Sequence, residues 1–382
     1  MTSVINYLLT MGAGDRPRRE AGRVQLVLGI DTIGGGWNAV MTIARGLAMR
    51  GFDVTLAMLG PEPDPRQAAE IAEAPNLRAM PAHTVAARQA DSFGDLQAAG
   101  QAVARLANVL AVDLVVLHHP ALAAFGPFQA PVVVSPDGRD IIVASRTRQA
   151  PGHEWRARLL RSGYQTATGV VAPSHADAGD IMDAHRLRRP PRVIRRTYTP
   201  FAADRPAVDL TSYVIAAHQT VDGRENLATL NEAAFLCPHP VMLAGASAGK
   251  LADAGHLWAL GALSPGQIQR WLEGALAFVS AAAGDTDGEM TWRAAEAGCA
   301  MVLADAPDYR ELWGEAAIFA PADDPIALAR ALTTLMTDSG QRRQLANAAR
   351  TTARAWTVDK AAASWGELLT DIVATTPRSS VA

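Results

Sequence analysis

Three groups of side chains in this sequence have types and spacings that can do chemistry. The first is a run of glycines, Gly34 to Gly36, placed after a short apolar segment and before Asn38, which can cap the helix that follows. A glycine loop at that point is where an α/β protein would receive a dinucleotide. However, no G-x-G-x-x-G is present, and residues 52–59 end without the acidic residue that would meet a ribose. The second group is the adjacent pair His118 and His119 at the end of another apolar run. An imidazole there can take a role in a cleft or settle into packing or a backbone hydrogen bond. The third group lies later in the chain, where Asp285, Asp287, Gly288 and Glu289 are followed by Arg293. Clustered carboxylates raise one another's pKa and repel an anion, whereas a guanidinium can neutralise one. Arg293 also stands four residues after Glu289 and three before Glu296, the spacing of a helical ion pair, so both readings of it stay open.

The elements that must carry these groups alternate between strand and helix. Residues 25–30 form a short β-branched apolar run, the glycines break it, and residues 39–51 have helical spacing that ends on Gly51. Residues 52–59, 114–119, 131–135 and 168–174 read as further buried strands, with helical stretches at 96–111 and 155–163 between them. Around residues 197–210 the text turns rich in Pro and Asp, which marks a linker. A second series of strands follows at 212–218, 239–246, 275–281 and 299–305, with helices near 225–235, 265–273, 290–297 and 325–336. The alternation predicts two doubly wound parallel sheets, which bind ligands beyond the carboxyl ends of their strands. A last helix at 358–374 follows Trp356 and is expected to pack back on the first domain.

Composition narrows the class. A chain of 382 residues is long for one domain and comfortable for two, and its short apolar runs contain no membrane span. The start of the chain lacks a signal-peptide layout, and Cys237 and Cys299 are the only cysteines, so a cytoplasmic protein is expected. The segment Cys237-Pro238-His239 has no further ligands at zinc spacing and reads as packing, so no metal is expected. The net charge of −3 is uneven: residues 1–198 hold 22 Lys/Arg against 17 Asp/Glu, and residues 199–382 hold 13 against 21. Arginines gather at Arg146, Arg148, Arg156, Arg158 and Arg161 and again over 186–196. They suit an anionic membrane surface, a phosphorylated acceptor or ordinary solvated faces; without interleaved aromatics, nucleic acid is not an expected partner.

Several stretches, over most of residues 24–372, resemble the large fourth family of retaining GT-B glycosyltransferases. The most specific is AEAGCAMVLADAPDYRELWGEAAIFAPADDPIALARALTTLMTD (295–338), similar to that family's small-Gly, strand, P-x-x-R-E and D-P text. LGALSPGQIQRWLEGALAFVSAA (260–282) and GGGWNAVMTIARGLAMRGFDVTLAML (34–59) are similar to its other conserved stretches. The resemblance implies a GT-B fold, two doubly wound Rossmann-like domains facing each other across a cleft. A tail (1–22) would lead to an acceptor-side domain (23–198) and a nucleotide-sugar-side domain (199–355), then a returning helix (356–374) and a tail (375–382). It implies a hexosyltransferase-type enzyme of polysaccharide biosynthesis, using a nucleotide sugar as substrate and no cofactor, with a glycan, lipid-linked or small-molecule acceptor.

The resemblance also implies a site. Gly288 and the helix start after it, with Gly35 and Gly36 from the other domain, would hold the donor diphosphate, because a helix N-terminus offers N–H groups and partial positive charge. Leu263 and Glu289 fall among the donor-side residues, and His118 would lie near the reacting sugar. A basic pair normally stands beside the departing diphosphate. Here His218 or Gln219 takes the first place and Arg224 the second. The family's two glutamates, eight residues apart, fall on Asp285 and Arg293. Asp285 would meet sugar hydroxyls, whereas a guanidinium has no acceptor for the ribose. This departure leaves a second reading: a catalytically degenerate GT-B protein that serves as a binding or partner subunit.

Overall fold

The apolar runs become strands because a parallel strand is covered on both faces and so favours apolar residues on both. The computed structural model describes residues 23–33, 36–136, 154–200, 212–217, 226–245, 255–284 and 288–376. These form two units, each an α/β fold around one parallel sheet.

The first unit takes the chain up to Pro173, Asp177–Thr197 and the chain from Val358 onward. Its strands are β1 (Gln25–Asp31), β2 (Asp53–Leu59), β3 (Leu77–Pro81), β4 (Leu114–Leu117), β5 (Val132–Val134), β6 (Gly169–Ala172) and β7 (Arg192–Val193). They pair in the order β3-β2-β1-β4-β5-β6-β7, so the order reverses between β1 and β4. Its helices are α1 (Trp37–Met49), α2 (Pro65–Ala72), α3 (Phe93–Val109), α4 (Glu154–Thr166) and α5 (His175–His185), the last begun by residues assigned to the other unit. Alternate residues of β1 serve opposite layers. Leu26, Leu28 and Ile30 pack with α1 and with Ala361, Trp365 and Leu369 of the last helix, while Val27 packs with Leu96, Ala99 and Val103 of α3. Helix α2 is opened by a reciprocal cap: the Asp64 carboxylate accepts from the Gln67 N–H at 2.8 Å, and the Gln67 side chain accepts from the Asp64 N–H at 3.0 Å.

The second unit takes Ser174–Ala176 and Tyr198–Thr357. Its strands are β8 (Val214–Ala217), β9 (Val241–Ala244), β10 (Leu257–Gly261), β11 (Ala277–Ser280), β12 (Ala300–Ala304) and β13 (Ile318–Ala320), paired in the order β10-β9-β8-β11-β12-β13. Its helices are α6 (Leu227–Phe235), α7 (Pro265–Gly274), α8 (Glu289–Ala297), α9 (Pro307–Trp313), α10 (Pro325–Thr337) and α11 (Ser339–Ala355). α12 (Val358–Thr375) follows and lies in the first unit, where it packs on α1. The core is built from Val214, Ala216, Val279 and Val302 of the sheet with Leu230 of α6 and Leu328 and Leu332 of α10. Cys237 sits at the rim of this core with its Sγ 3.8 Å from Met336 Sδ.

The sequence pattern missed the sheet edges. β3, β7, β10 and β13 were not expected, and neither were α2, α5, α9 and α11. Edge strands lack the double-sided apolar pattern; on β10, Trp258 is 64% exposed. Among the described residues no helix is long and apolar enough to cross a membrane.

His185 closes α5 with its imidazole buried against Tyr164, the ring centroids 4.3 Å apart. Neither ring nitrogen has a hydrogen-bond partner among the described residues. Burial, with the nearby Arg161 charge, lowers its pKa from 6.5 to about 4. The fold therefore holds the neutral ring, whereas the unfolded chain takes up a proton below about pH 6.5. This contribution to stability is full above that pH and is lost as pH falls from there towards 4. Urea unfolding at pH 7 and pH 5 should show a smaller loss of stability in His185→Phe than in the wild type; equal losses would contradict this.

Candidate functional site

Each sheet has one place where the strand order reverses, and there the crossovers leave to opposite faces and open a crevice at the carboxyl ends. In the first unit it lies between β1 and β4, so the residues just beyond β1, β4 and β5 share it. β1 ends on Asp31, whose carboxylate accepts the backbone N–H groups of Ala87 and Arg88, both at 2.9 Å. Burial pushes the Asp31 carboxyl above the ordinary carboxylate value, against the pull of those two donors and of the nearby His119 and Arg88 charges. Gly36 precedes α1, and a Cβ placed there would lie 3.7 Å from Arg88 Nη2.

His118 follows β4 and is half-buried. Its Nδ1 lies 3.0 Å from the carbonyl oxygen of Ser135, beyond β5. A carbonyl can only accept, so Nδ1 carries the proton, and in the neutral ring Nε2 is the basic nitrogen. The chain then enters a 3₁₀ turn, Pro120–Ala124, that packs on α4. The approach is close: a Cβ on Gly163 of α4 would lie 1.9 Å from the Pro120 carbonyl oxygen, so only glycine fits. The position of the histidine segment thus depends on a residue 45 positions away in the chain.

In the second unit the reversal lies between β8 and β11. α8 begins at Gly288, whose φ of 78° and ψ of −10° put it in the left-handed region that glycine adopts without cost. A glycine N-cap has no side chain to occupy the first N–H groups of the helix, which carry the positive end of the helix dipole. The end of β11 is held from two sides. The Ser280 and Tyr309 hydroxyls lie 3.1 Å apart, and the Asn226 side-chain amide donates to the Ala281 carbonyl at 2.9 Å. Asn226 itself has φ 47° and ψ 46° and leads directly into α6. Leu263 is half-buried in the segment that joins β10 to α7, just before the N-cap Ser264.

Glu289 and Arg293 are both buried, at 4% and 2% exposure. Arg293 Nε donates to Glu289 Oε1 at 2.8 Å, so the guanidinium is engaged one helical turn back along its own helix. Gly35, His218, Gln219, Arg224, Asp285 and Asp287 lie outside the described residues. Among the expected residues, the structure places Gly36 and His118 at the first reversal and Gly288, Glu289 and Arg293 beside the second. Sequence reasoning missed Asp31, Asn226, Ser280 and Tyr309. An Asp at the last position of the first strand and an Asn immediately before a helix were the available signals.

Residues 33–198 match the model of the family described as Glycosyltransferase Family 4. Among solved structures, sucrose-phosphate synthase from Thermosynechococcus elongatus superposes with a TM-score of 0.76 at 16% identity, over 93% of this chain and 100% of that one. HepE from Anabaena, solved with UDP and glucose, gives 0.68 at 16% identity over 91% and 100%. WaaG, a glycosyltransferase involved in lipopolysaccharide biosynthesis, gives 0.66 at 13% identity over 90% and 99%. Among curated proteins none matches this sequence. The protein has the GT-B fold of these solved structures, and its residues 33–198 are similar to the Glycosyltransferase Family 4 model.

The Glu289–Arg293 pair yields a stability prediction. Removing one partner of a buried pair leaves an uncompensated charge, at a cost of about 3–5 kcal/mol. Arg293→Met should lose about that much in urea unfolding, and Glu289→Leu combined with Arg293→Met should recover most of it. A loss below about 1 kcal/mol in the single variant would show that the pair is not desolvated.

Proposed function

We propose that this protein transfers a sugar from a nucleotide-sugar donor to a glycan, lipid-linked or small-molecule acceptor, with retention of anomeric configuration. The observation that carries the reading is the glycine-capped start of α8 beside the strand-order reversal of the second sheet, where a helix N-terminus can receive a diphosphate. The family match of the first unit supports it, as do GT-B neighbours such as HepE, which was solved with UDP and glucose. Retention rests on the similarity of residues 295–338 to the retaining family.

In this reading Gly288 and the first turn of α8 hold the diphosphate, with Arg224 adding positive charge and no metal required. Asp285 meets the sugar hydroxyls, and His118 serves the reacting sugar through its basic Nε2. Arg293 cannot accept from a ribose, but it fixes a carboxylate, Glu289, one turn nearer the start of the same helix. The charge at position 293 is thus met within the helix, and the charge reversal there is compatible with donor binding. The same observation counts against a degenerate subunit, because a buried arginine that orients a carboxylate does not by itself abolish the donor site.

The test is thermal unfolding of the full chain with UDP-, GDP- and ADP-sugars and with NAD. A ligand at one hundred times its Kd stabilises by about 2.7 kcal/mol. For domains of this size that corresponds to a Tm rise of several degrees with one nucleotide sugar. Gly288→Val should abolish the rise, because a β-branched residue is strained at positive φ and covers the helix start. Stabilisation by NAD and by no nucleotide sugar would overturn the reading.

A further inference from the structure

An open sheet has two edge strands, and the N–H and C=O groups along an edge can pair with another chain unless something blocks them. Three of the four edges in this protein are blocked. β3 carries the exposed Arg78 and ends on Pro81, and β7 is two residues long and begins on the exposed Arg192. β13 is three residues long, and the Arg310 guanidinium lies over the ring of its Phe319, 4.8 Å from the centroid. β10 differs on each count. It is five residues long, Leu257–Gly261, with no charged residue and no proline, and among the described residues it pairs with β9 alone. That pairing is regular over Leu257–Ala259, and its register shifts only beyond, between Ala259 and Gly261.

The surface around this edge is apolar and neutral. Leu257 turns into the core, so Trp258 stands on the opposite side of the strand, 64% exposed. Phe235, at the end of α6, is 67% exposed, and its ring lies 4.6 Å from that of His256, two residues before Trp258; Leu236 beside it is 49% exposed. Residues 233–244 and 255–264, which contain β9 and β10, hold no Asp, Glu, Lys or Arg, although residues 199–382 carry 21 Asp/Glu against 13 Lys/Arg. Two copies of this net-negative half repel each other elsewhere and meet no like charge here. Trp258 and Phe235 alone offer on the order of 250 Å² per copy, about a third of the roughly 800 Å² per partner in a standard interface, before Leu236 and the strand edge are added. A contact about a two-fold axis must also be self-complementary. A strand edge running antiparallel to its own copy matches N–H with C=O, and Trp258 near the axis faces Trp258 of the second copy, an aromatic cross-strand pair.

We propose that β10 is the interface of a two-fold dimer, in which the β10 edges of two copies pair antiparallel and join their six-stranded sheets into one, with Trp258 at the axis and Phe235 and Leu236 beside it. The dimer does not rest on the transferase reading.

Sedimentation equilibrium of the full chain over a concentration series should show the mass rising from one chain to two and no further, because a two-fold contact closes. Trp258→Lys and Trp258→Glu each set like charges opposite one another and should weaken the dimer at least about 10-fold. An equimolar mixture of the two variants should recover it, since opposite charges then face each other across the axis. Arg78→Glu, on the β3 edge, should leave the Kd unchanged. Thermal unfolding of each variant confirms that it is folded. A monomer throughout the series would overturn the proposal and leave the edge to an extended segment of another protein. A dimer whose Kd is unchanged in folded Trp258→Lys, or a mass that keeps rising beyond two chains, would overturn it as well.

Discussion

A parallel sheet whose strand order reverses once must open a crevice at its carboxyl edge, and almost everything of chemical interest in this protein depends on that constraint. Crossovers on one side of the reversal leave to one face and those on the other side to the opposite face, which opens the crevice between them. In the first sheet the reversal between β1 and β4 brings together Asp31, Gly36 and His118. In the second, the reversal between β8 and β11 sets the glycine-capped start of α8 beside Asn226 and Ser280. The apolar strands matter to function mainly because they fix where these crevices fall.

The second sheet also shows how a change of charge can be absorbed. An arginine at 293 would be costly as an isolated buried charge, since desolvating an ion costs several kcal/mol. The helix solves this locally. Glu289, one turn earlier, accepts from Nε at 2.8 Å, and the two charges are buried together. The same bond holds the Glu289 carboxylate in the first turn of the helix.

Much of this was legible in the sequence because the central strands are buried and mostly apolar along their length. The runs at 52–59, 114–119 and 131–135 contain strands of the first sheet, and the run at 25–30 covers all of β1 but Asp31. The edges escaped notice for a physical reason. Arg78 on β3 and Trp258 on β10 are exposed, and β7 is only two residues long, so no double-sided pattern exists there to be read. The two readings of Arg293 were separable only by burial, which spacing cannot show. Asp31 and Asn226 were silent because their partners are distant: Asp31 binds backbone groups 56 and 57 positions later, and Asn226 one 55 positions later. Glycines told more, since Gly36 and Gly288 mark helix starts in the text itself, whereas the need for glycine at 163 is visible only against Pro120.

The claim that the reversal points are the ligand sites is tested most directly by hydrogen exchange on the full chain, with and without a saturating nucleotide sugar. Slowed exchange should concentrate in peptides covering 226–235 and 281–293, which follow β8 and β11 in the second unit. Protection confined to the sheet edges at β3 and β10, with those two segments unchanged, would contradict it.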